Sequence, residues 1–430
     1  MNRTSEHHLA DATATSAPAC RPMARARLTC ARVLAATSLF AVALAACDGD
    51  RAAAPARALP QGSAAQLGRS TGHPAITSGK EIFRFDTFGD EKFWTDTLRM
   101  HEVIEAIVSP RVALSVGLKV DADALPPGIL ETVDLDDPKT TVALLKLNAV
   151  VGAQGEVRSI NGQDRLVRFG ITCALCHSTV NNSVAPGIGQ RLDGWANTTL
   201  NPGAIIALSP ALTPAQKAVY NSWGAGRYDP RFNIDGKNTP IVLPPIYGLQ
   251  HVSRETYTAD GPISYWNAYV GVTQMHGQGT FIDPRLGIRV VQTPDLVTPK
   301  LPALLAYQLS LQTPNPPSGS FDRAAAGRGR AVFETAGRCA DCHVGAALSD
   351  VNKGILHDAS ETGMDPAYAM RTATKRYRTT PLRGLFQHGP YFHDGSAATL
   401  GDVVEHYDRV LKLRLSSRQK HDLVEYLKSL

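Results

Sequence analysis

"ITCALCHSTV", residues 171–180, sets Cys173, Cys176 and His177 within five positions, and "GRCADCHVGA", residues 337–346, repeats the arrangement with Cys339, Cys342 and His343. Two copies of Cys-x-x-Cys-His in one chain decide how the rest is read. The other three of the seven cysteines, Cys20, Cys30 and Cys47, fall in or at the end of an N-terminal leader, so the two motifs hold every cysteine of the body. A four-cysteine zinc site would draw its pairs from closer together and needs no histidine after each pair. A thioredoxin-like pair needs a βαβ setting that the Gly/Pro-rich flanks do not offer, and two disulfides would leave the paired histidines a coincidence.

Cys-x-x-Cys-His is the c-type haem attachment sequence. Two thiols two residues apart on a turn reach the two porphyrin vinyl groups, and the adjacent imidazole meets the iron. The spacing therefore predicts two covalently bound haem c groups, with His177 and His343 as iron ligands.

Composition bounds the setting. The 430 residues are 43% apolar and 19% charged, enough for a substantial core and for two or three domains. The basic excess is concentrated in residues 1–46; without them 39 Lys and Arg face 37 Asp and Glu, a balance that excludes a basic nucleic-acid binder. In that leader the basic "MARARLTCAR" precedes "VLAATSLFAVALAA", 14 uncharged residues, too few to span a bilayer as a helix and the pattern of a signal peptide. Leu44-Ala45-Ala46-Cys47 resembles the bacterial lipobox, which implies a signal peptide of lipoprotein type over 1–46, export to the periplasm and a lipid anchor to the membrane at Cys47.

Residues 47–79, rich in Ala, Pro and Gly, read as a flexible tether. "LQTPNPPSGSFD", 311–322, reads as a linker, giving an N-terminal haem c domain over 80–312, a linker over 313–322 and a C-terminal cytochrome c domain over 323–430. Before the second motif, "FDRAAAGRGRAVFETAG" has helical periodicity with Ala324, Ala331 and Val332 among its apolar positions. The terminal "LSSRQKHDLVEYLKSL" places Leu423, Val424, Leu427 and Leu430 at helical spacing behind a Ser416/Gln419 capping box. The fold class is mainly α, with two cytochrome c-type domains, the first with long loop insertions.

"TTPLRGLFQHGPYFHDGSAATLGDVVEHYD", 379–408, resembles the C-terminal signature of bacterial di-haem cytochrome c peroxidases and of the related enzyme that matures a tryptophan-derived quinone. Over 80–310 the likeness is weaker and rests on the first motif, "PGIGQRLDGW" and "YWNAYV". The resemblance implies a reactive first haem and a second that relays electrons from a small redox donor protein to peroxide or another small oxidant. It also implies calcium between the domains, which the residues do not place, although "DPRFNIDGKNTPIVLPP", 229–245, is suited to framing the haem interface.

The chain departs from the peroxidase pattern at the sixth ligands. No histidine follows His177 until His251, so the first iron lacks the family's distal histidine or takes a ligand from elsewhere. His101, on an apolar helical face with Trp94, Leu98 and Ile104, is one candidate, with Met275 and His276 as others, against a purely structural role. At the position after "TLGDVVEH" the peroxidases have methionine and the quinone-maturing enzyme tyrosine; this chain has Tyr407. His406, His393, Met364 and Met370 are its rivals for the second iron. Trp195, Trp223 and Trp266 are candidate electron relays or core residues. Three functions stay open: a peroxidase-like oxidoreductase, a non-catalytic electron carrier, and an oxygenase or protein-modifying enzyme, the last also suggested by a distant likeness to di-haem rubber oxygenases.

Overall fold

The computed structural model describes residues 73–430, which fall in one compact unit; the signal segment, Cys47 and residues 48–72 of the tether lie outside the described residues. No described helix is long and apolar enough to cross a membrane. The helices that position the two motifs are α1 (His73–Phe85), α2 (Met100–Ile107), α3 (Pro138–Lys146), α4 (Ala174–His177), α5 (Ile263–Tyr269), α6 (Leu301–Ser310), α7 (Arg323–Glu334), α8 (Leu400–Val410) and α9 (Ser417–Lys428). A hairpin of β1 (Ala153–Ile160) and β2 (Gln163–Ile171) leads into the first motif.

The same pieces recur in the same order around each motif. Helix α1 crosses α6 at Gly79, where a Cβ would overlap the Ala303 carbonyl and the Cβ of Tyr307; α7 crosses α9 at Gly329, where a Cβ would overlap the Asp422 carbonyl and the Cβ of Tyr426. Four residues past each glycine a phenylalanine meets that tyrosine, Phe83 on Tyr307 at 5.5 Å between ring centroids and Phe333 on Tyr426 at 5.3 Å. Both crossings need a residue without a side chain, since any Cβ drives the backbones apart. Gly329→Ala is accordingly expected to destabilise the fold by about 3 kcal/mol or more, read as a drop in the denaturation midpoint; an unchanged midpoint would show that the helices can separate freely.

The segments 247–261 and 383–397 form a second pair, at a constant offset of 136 residues. Left-handed backbone recurs in register at Gly248 (φ +60) and Gly384 (φ +56), Thr256 (+59) and Phe392 (+66), Ala259 (+52) and Gly395 (+70). An isolated bridge closes each loop, Glu255 with Gly261 and Tyr391 with Ala397, and each is followed by a helix, α5 or α8. The two loops interlock. The Tyr247 hydroxyl donates to the Gly384 carbonyl at 3.1 Å, while Arg383 lies across Gly248.

The sequence reading needs three corrections. The tether, placed through residue 79, ends where α1 begins at His73. The insertion expected as loops in the first half is ordered structure: α2, α3 and the hairpin bury Trp94, Val103, Ile104, Val142, Leu145, Leu166 and Phe169 in one cluster that also takes in Leu175 of the motif. On α7 the buried face is Ala325, Ala326, Gly329, Val332 and Phe333, with Ala324 and Ala331 exposed, because the close crossing at Gly329 rather than apolar periodicity sets the face. The Ser416/Gln419 capping box of α9 is present as read, and α8 carries another from Thr399 and Asp402.

Candidate haem-binding sites

Each Cys-x-x-Cys-His lies on a short helical turn tied to the core. Thr172 holds the first, its hydroxyl donating to the Arg84 carbonyl of α1 at 3.1 Å and accepting from the Ala174 N–H. His177 Nδ1 donates to the Pro244 carbonyl at 3.0 Å, and His343 Nδ1 to the Leu348 carbonyl at 2.9 Å. A carbonyl can only accept, so in both rings the proton sits on Nδ1 and the Nε2 lone pair is free for a metal. Burial holds both imidazoles neutral, pushing His177 down to about 4 and lowering His343.

No disulfide joins the four motif cysteines. Burial pushes Cys173 and Cys176 up to about 12 and Cys339 up to about 11, so they stay protonated at neutral pH. Cys173 packs with Phe83, Trp266 and Tyr269, whereas Cys339 packs with Val332 and Phe333, so the cysteines build no shared zinc site. Cys173, Cys176 and His177 are each half-buried.

The second motif opens on a cavity of about 440 Å³. Cys339, Cys342 and His343 line it with apolar side chains such as Phe333, Leu385, Leu400 and Leu427, a wall suited to a porphyrin. Of the candidates for the second iron, Tyr407, His393 and Met364 line this cavity. His406 does not: its Nε2 bonds the Thr362 carbonyl at 2.8 Å. Met370 is 58% exposed. Burial pushes the Tyr407 phenol up to about 12, with the Cys339 and Cys342 thiols adding to the effect, so it is a neutral phenol unless a cation stands against it. His393 has a definite tautomer. Tyr377 donates its hydroxyl to the Asp365 carbonyl at 2.6 Å, so the 3.0 Å contact with His393 Nε2 has the imidazole as donor, leaving Nδ1 as a buried lone pair without a partner.

Around the first motif the structure brings together residues that the sequence did not single out. Tyr228 donates to Gln274 Oε1 at 2.9 Å, and Gln274 Nε2 donates to Asn233 at 3.1 Å and to Thr273 at 2.9 Å. Burial raises the Tyr228 pKa, and the Cys176 thiol is near enough to contribute. His276 stacks on Phe93 at 3.7 Å and is pushed down to about 4 by burial; Met275 is buried and its carbonyl accepts from Trp94 Nε1. His101 is half-buried beside Glu102 and Glu105, with Nδ1 enclosed and unpartnered.

Of the tryptophans, Trp195 stands between the two sites. Its neighbour Gly194 donates to the His177 carbonyl at 2.8 Å, and its ring meets Tyr247 of the second cavity at 6.4 Å and Phe386 at 6.3 Å. Trp266 belongs to the core around Cys173, its indole donating to the Glu255 carbonyl at 3.0 Å. Trp223 sits in a cluster with Tyr220, Tyr228 and Phe232. The 229–245 segment does not fit calcium. Asp229 and Asp235 are both paired with the buried Arg371 at 2.8 Å, and nearby Asp260 with Arg231 at 2.6 Å, so cations of the chain itself already hold these carboxylates.

No family model matches the chain. The methylamine utilization protein MauG of Methylorubrum extorquens is 30% identical over 296 residues, covering 62% of this chain and 74% of that protein. The hydrazine synthase subunit gamma of Kuenenia stuttgartiensis is 30% identical over 173 residues, covering 30% of this chain and 49% of the subunit. A solved MauG-like protein associated with microbial copper homeostasis aligns at 18% identity and a TM-score of 0.33 over 45% of this chain and 74% of its own. Two haem-attachment turns with matching histidine tautomers, a porphyrin-sized apolar cavity and the extent of the likeness to MauG agree: this chain belongs to the di-haem cytochrome c peroxidase-like family.

Proposed function

We propose that this chain is an exported, periplasmic, lipid-anchored oxidoreductase that accepts electrons from a small redox protein at its C-terminal half and spends them on peroxide at its N-terminal half. The observation that carries this reading is an asymmetry between the repeated pieces. Tyr407 stands eight residues past the α8 cap Thr399; eight residues past the α5 cap Pro262 stands Val270, and the loop offset of 136 points to Gly271. Neither has a donor atom. If the halves correspond, the first iron has no protein ligand from the helix that gives the second one Tyr407, and an iron with a free position binds small oxidants where a six-coordinate one mainly passes electrons.

The haems, when bound, supply one-electron redox chemistry and, at a free coordination position, cleavage of a peroxide bond. The chain's own residues do the rest. His177 and His343 present neutral Nε2 lone pairs, and the apolar walls keep water out. The Tyr228–Gln274 pair offers a fixed hydroxyl and amide beside the first motif, one turn beyond Val270. Trp195, whose neighbour Gly194 bonds the His177 carbonyl and whose ring meets Tyr247, shortens the electron path between the halves. Export and anchoring are supported by the leader and Cys47, outside the described residues.

The oxidised protein is expected to show a high-spin ferric electron paramagnetic resonance signal from the first haem that peroxide consumes, and Trp195→Phe should slow re-reduction of that haem while leaving its peroxide reaction unchanged. Two low-spin signals indifferent to peroxide would instead make the protein a carrier. A second reading, an oxidative enzyme acting on an organic or protein substrate, is favoured by Tyr407 itself, since phenolate ligation lowers the potential of the second haem and suits a site that stores oxidising equivalents better than one that relays electrons at high potential.

A further inference from the structure

We propose that Arg378 and Arg383 clamp the propionates of the second haem, an inference that rests on the haem reading of the cavity. Elsewhere the buried arginines of the chain are matched by carboxylates: Arg371 by Asp229 and Asp235, Arg231 by Asp260, and Arg191 by Asp121 at 2.9 Å. The charged groups lining the cavity are also paired, Arg338 with Asp341 and His357 with Asp350 and Glu361. Arg383, half-buried at the cavity wall, breaks the pattern. Among the described residues it lines the cavity without an ion pair, holding one long hydrogen bond from Nη2 to the Gln250 carbonyl at 3.3 Å.

Its neighbour Arg378 is nearly buried, 7% exposed, and shares Glu255 at 3.1 Å, yet its Nε is enclosed without a partner. Burial lowers the pKa of Arg383, partly offset by Glu255, and Arg378 lowers it further. Two guanidiniums therefore face one carboxylate at the cavity wall, formed where the 247–257 loop meets residues 377–383. A guanidinium at the wall of an apolar cavity is stabilised by an anion set against it, and its planar fork matches a carboxylate. A haem set into this cavity brings two carboxylates, the charge the wall lacks. Arg383 lies against the loop that carries Tyr247, whose ring meets Trp195.

The test is a spectroelectrochemical titration of both haems in the holoprotein, comparing wild type with Arg383→Gln, Arg383→Lys and Arg378→Gln. Removing a positive charge beside the porphyrin stabilises the ferric form, so Arg383→Gln and Arg378→Gln should lower the midpoint potential of the second haem and leave the first unchanged, and Arg383→Lys should recover most of the shift. If Arg383→Gln does not accumulate, the other two variants carry the comparison. Two covalent haems with an unmoved second midpoint, or equal shifts at both haems, would overturn the clamp. Fewer than two haems in the wild type would instead overturn the haem reading beneath it.

Discussion

Replacing Tyr407 with phenylalanine is expected to raise the midpoint potential of the second haem by a few tenths of a volt, a sizeable part of the roughly 0.8 V that axial ligands command. The side chain lines the cavity beside Cys339 and Cys342, while His406 and Met370 are turned elsewhere. Phenolate stabilises ferric iron, so its loss favours the ferrous form. The ring loses only its hydroxyl, which keeps the packing against Phe392, 5.9 Å away, and separates ligation from stability. An optical redox titration and the low-spin resonance signal check the result. An unmoved potential and spectrum would pass the ligand role to His393, whose Nδ1 lone pair is already free, or to Met364.

The second large effect concerns folding. Changing Cys339, Cys342 and His343 together to alanine removes both covalent attachment points and the motif histidine ligand of the second haem. Without a haem against them, apolar wall residues such as Phe333, Leu385, Leu400 and Leu427 lose burial at about 1.5–3 kcal/mol for each fully buried side chain, a sizeable part of the whole stability of a domain, about 5–15 kcal/mol. The variant is therefore expected to carry one haem by mass and to be cut rapidly by protease between residues 323 and 430. Protection equal to wild type across that stretch would mean that the helices collapse onto one another and that the haem contributes little to the fold.

How far the sequence foretold this arrangement depended on how local each part is. Around the second motif the attachment turn is a local signal, and the "PYFHDG" loop and Tyr407 both fall in the 379–408 stretch that the resemblance singled out. The first site is assembled from pieces spread between Thr172, Tyr228, Pro244 and Gln274, and no spacing rule links them. Sequence reasoning passed over the hairpin although its turn, Asn161-Gly162, is a strong signal, with both residues at positive φ. It also missed the repeat at an offset of 136, because the two loops share only Gly248/Gly384 and Leu249/Leu385 of fifteen positions. What they share is backbone shape, and Thr256, Ala259 and Phe392 give no outward sign of the left-handed conformation they adopt. Arg378 and Arg383 could have been flagged only by asking which cations lack an anion, and that needs the fold.

The crossed turns, Tyr247 over Gly384 and Arg383 over Gly248, make the halves mutually dependent. Each half contributes the side chain that covers the other's glycine, so neither could be lifted out as a free-standing cytochrome without exposing a bare turn beside its own cofactor. Two turns that complete each other in this way are mechanically coupled: a change of side chain at Tyr247 or Arg383 is expected to disturb the turn it covers as well as its own.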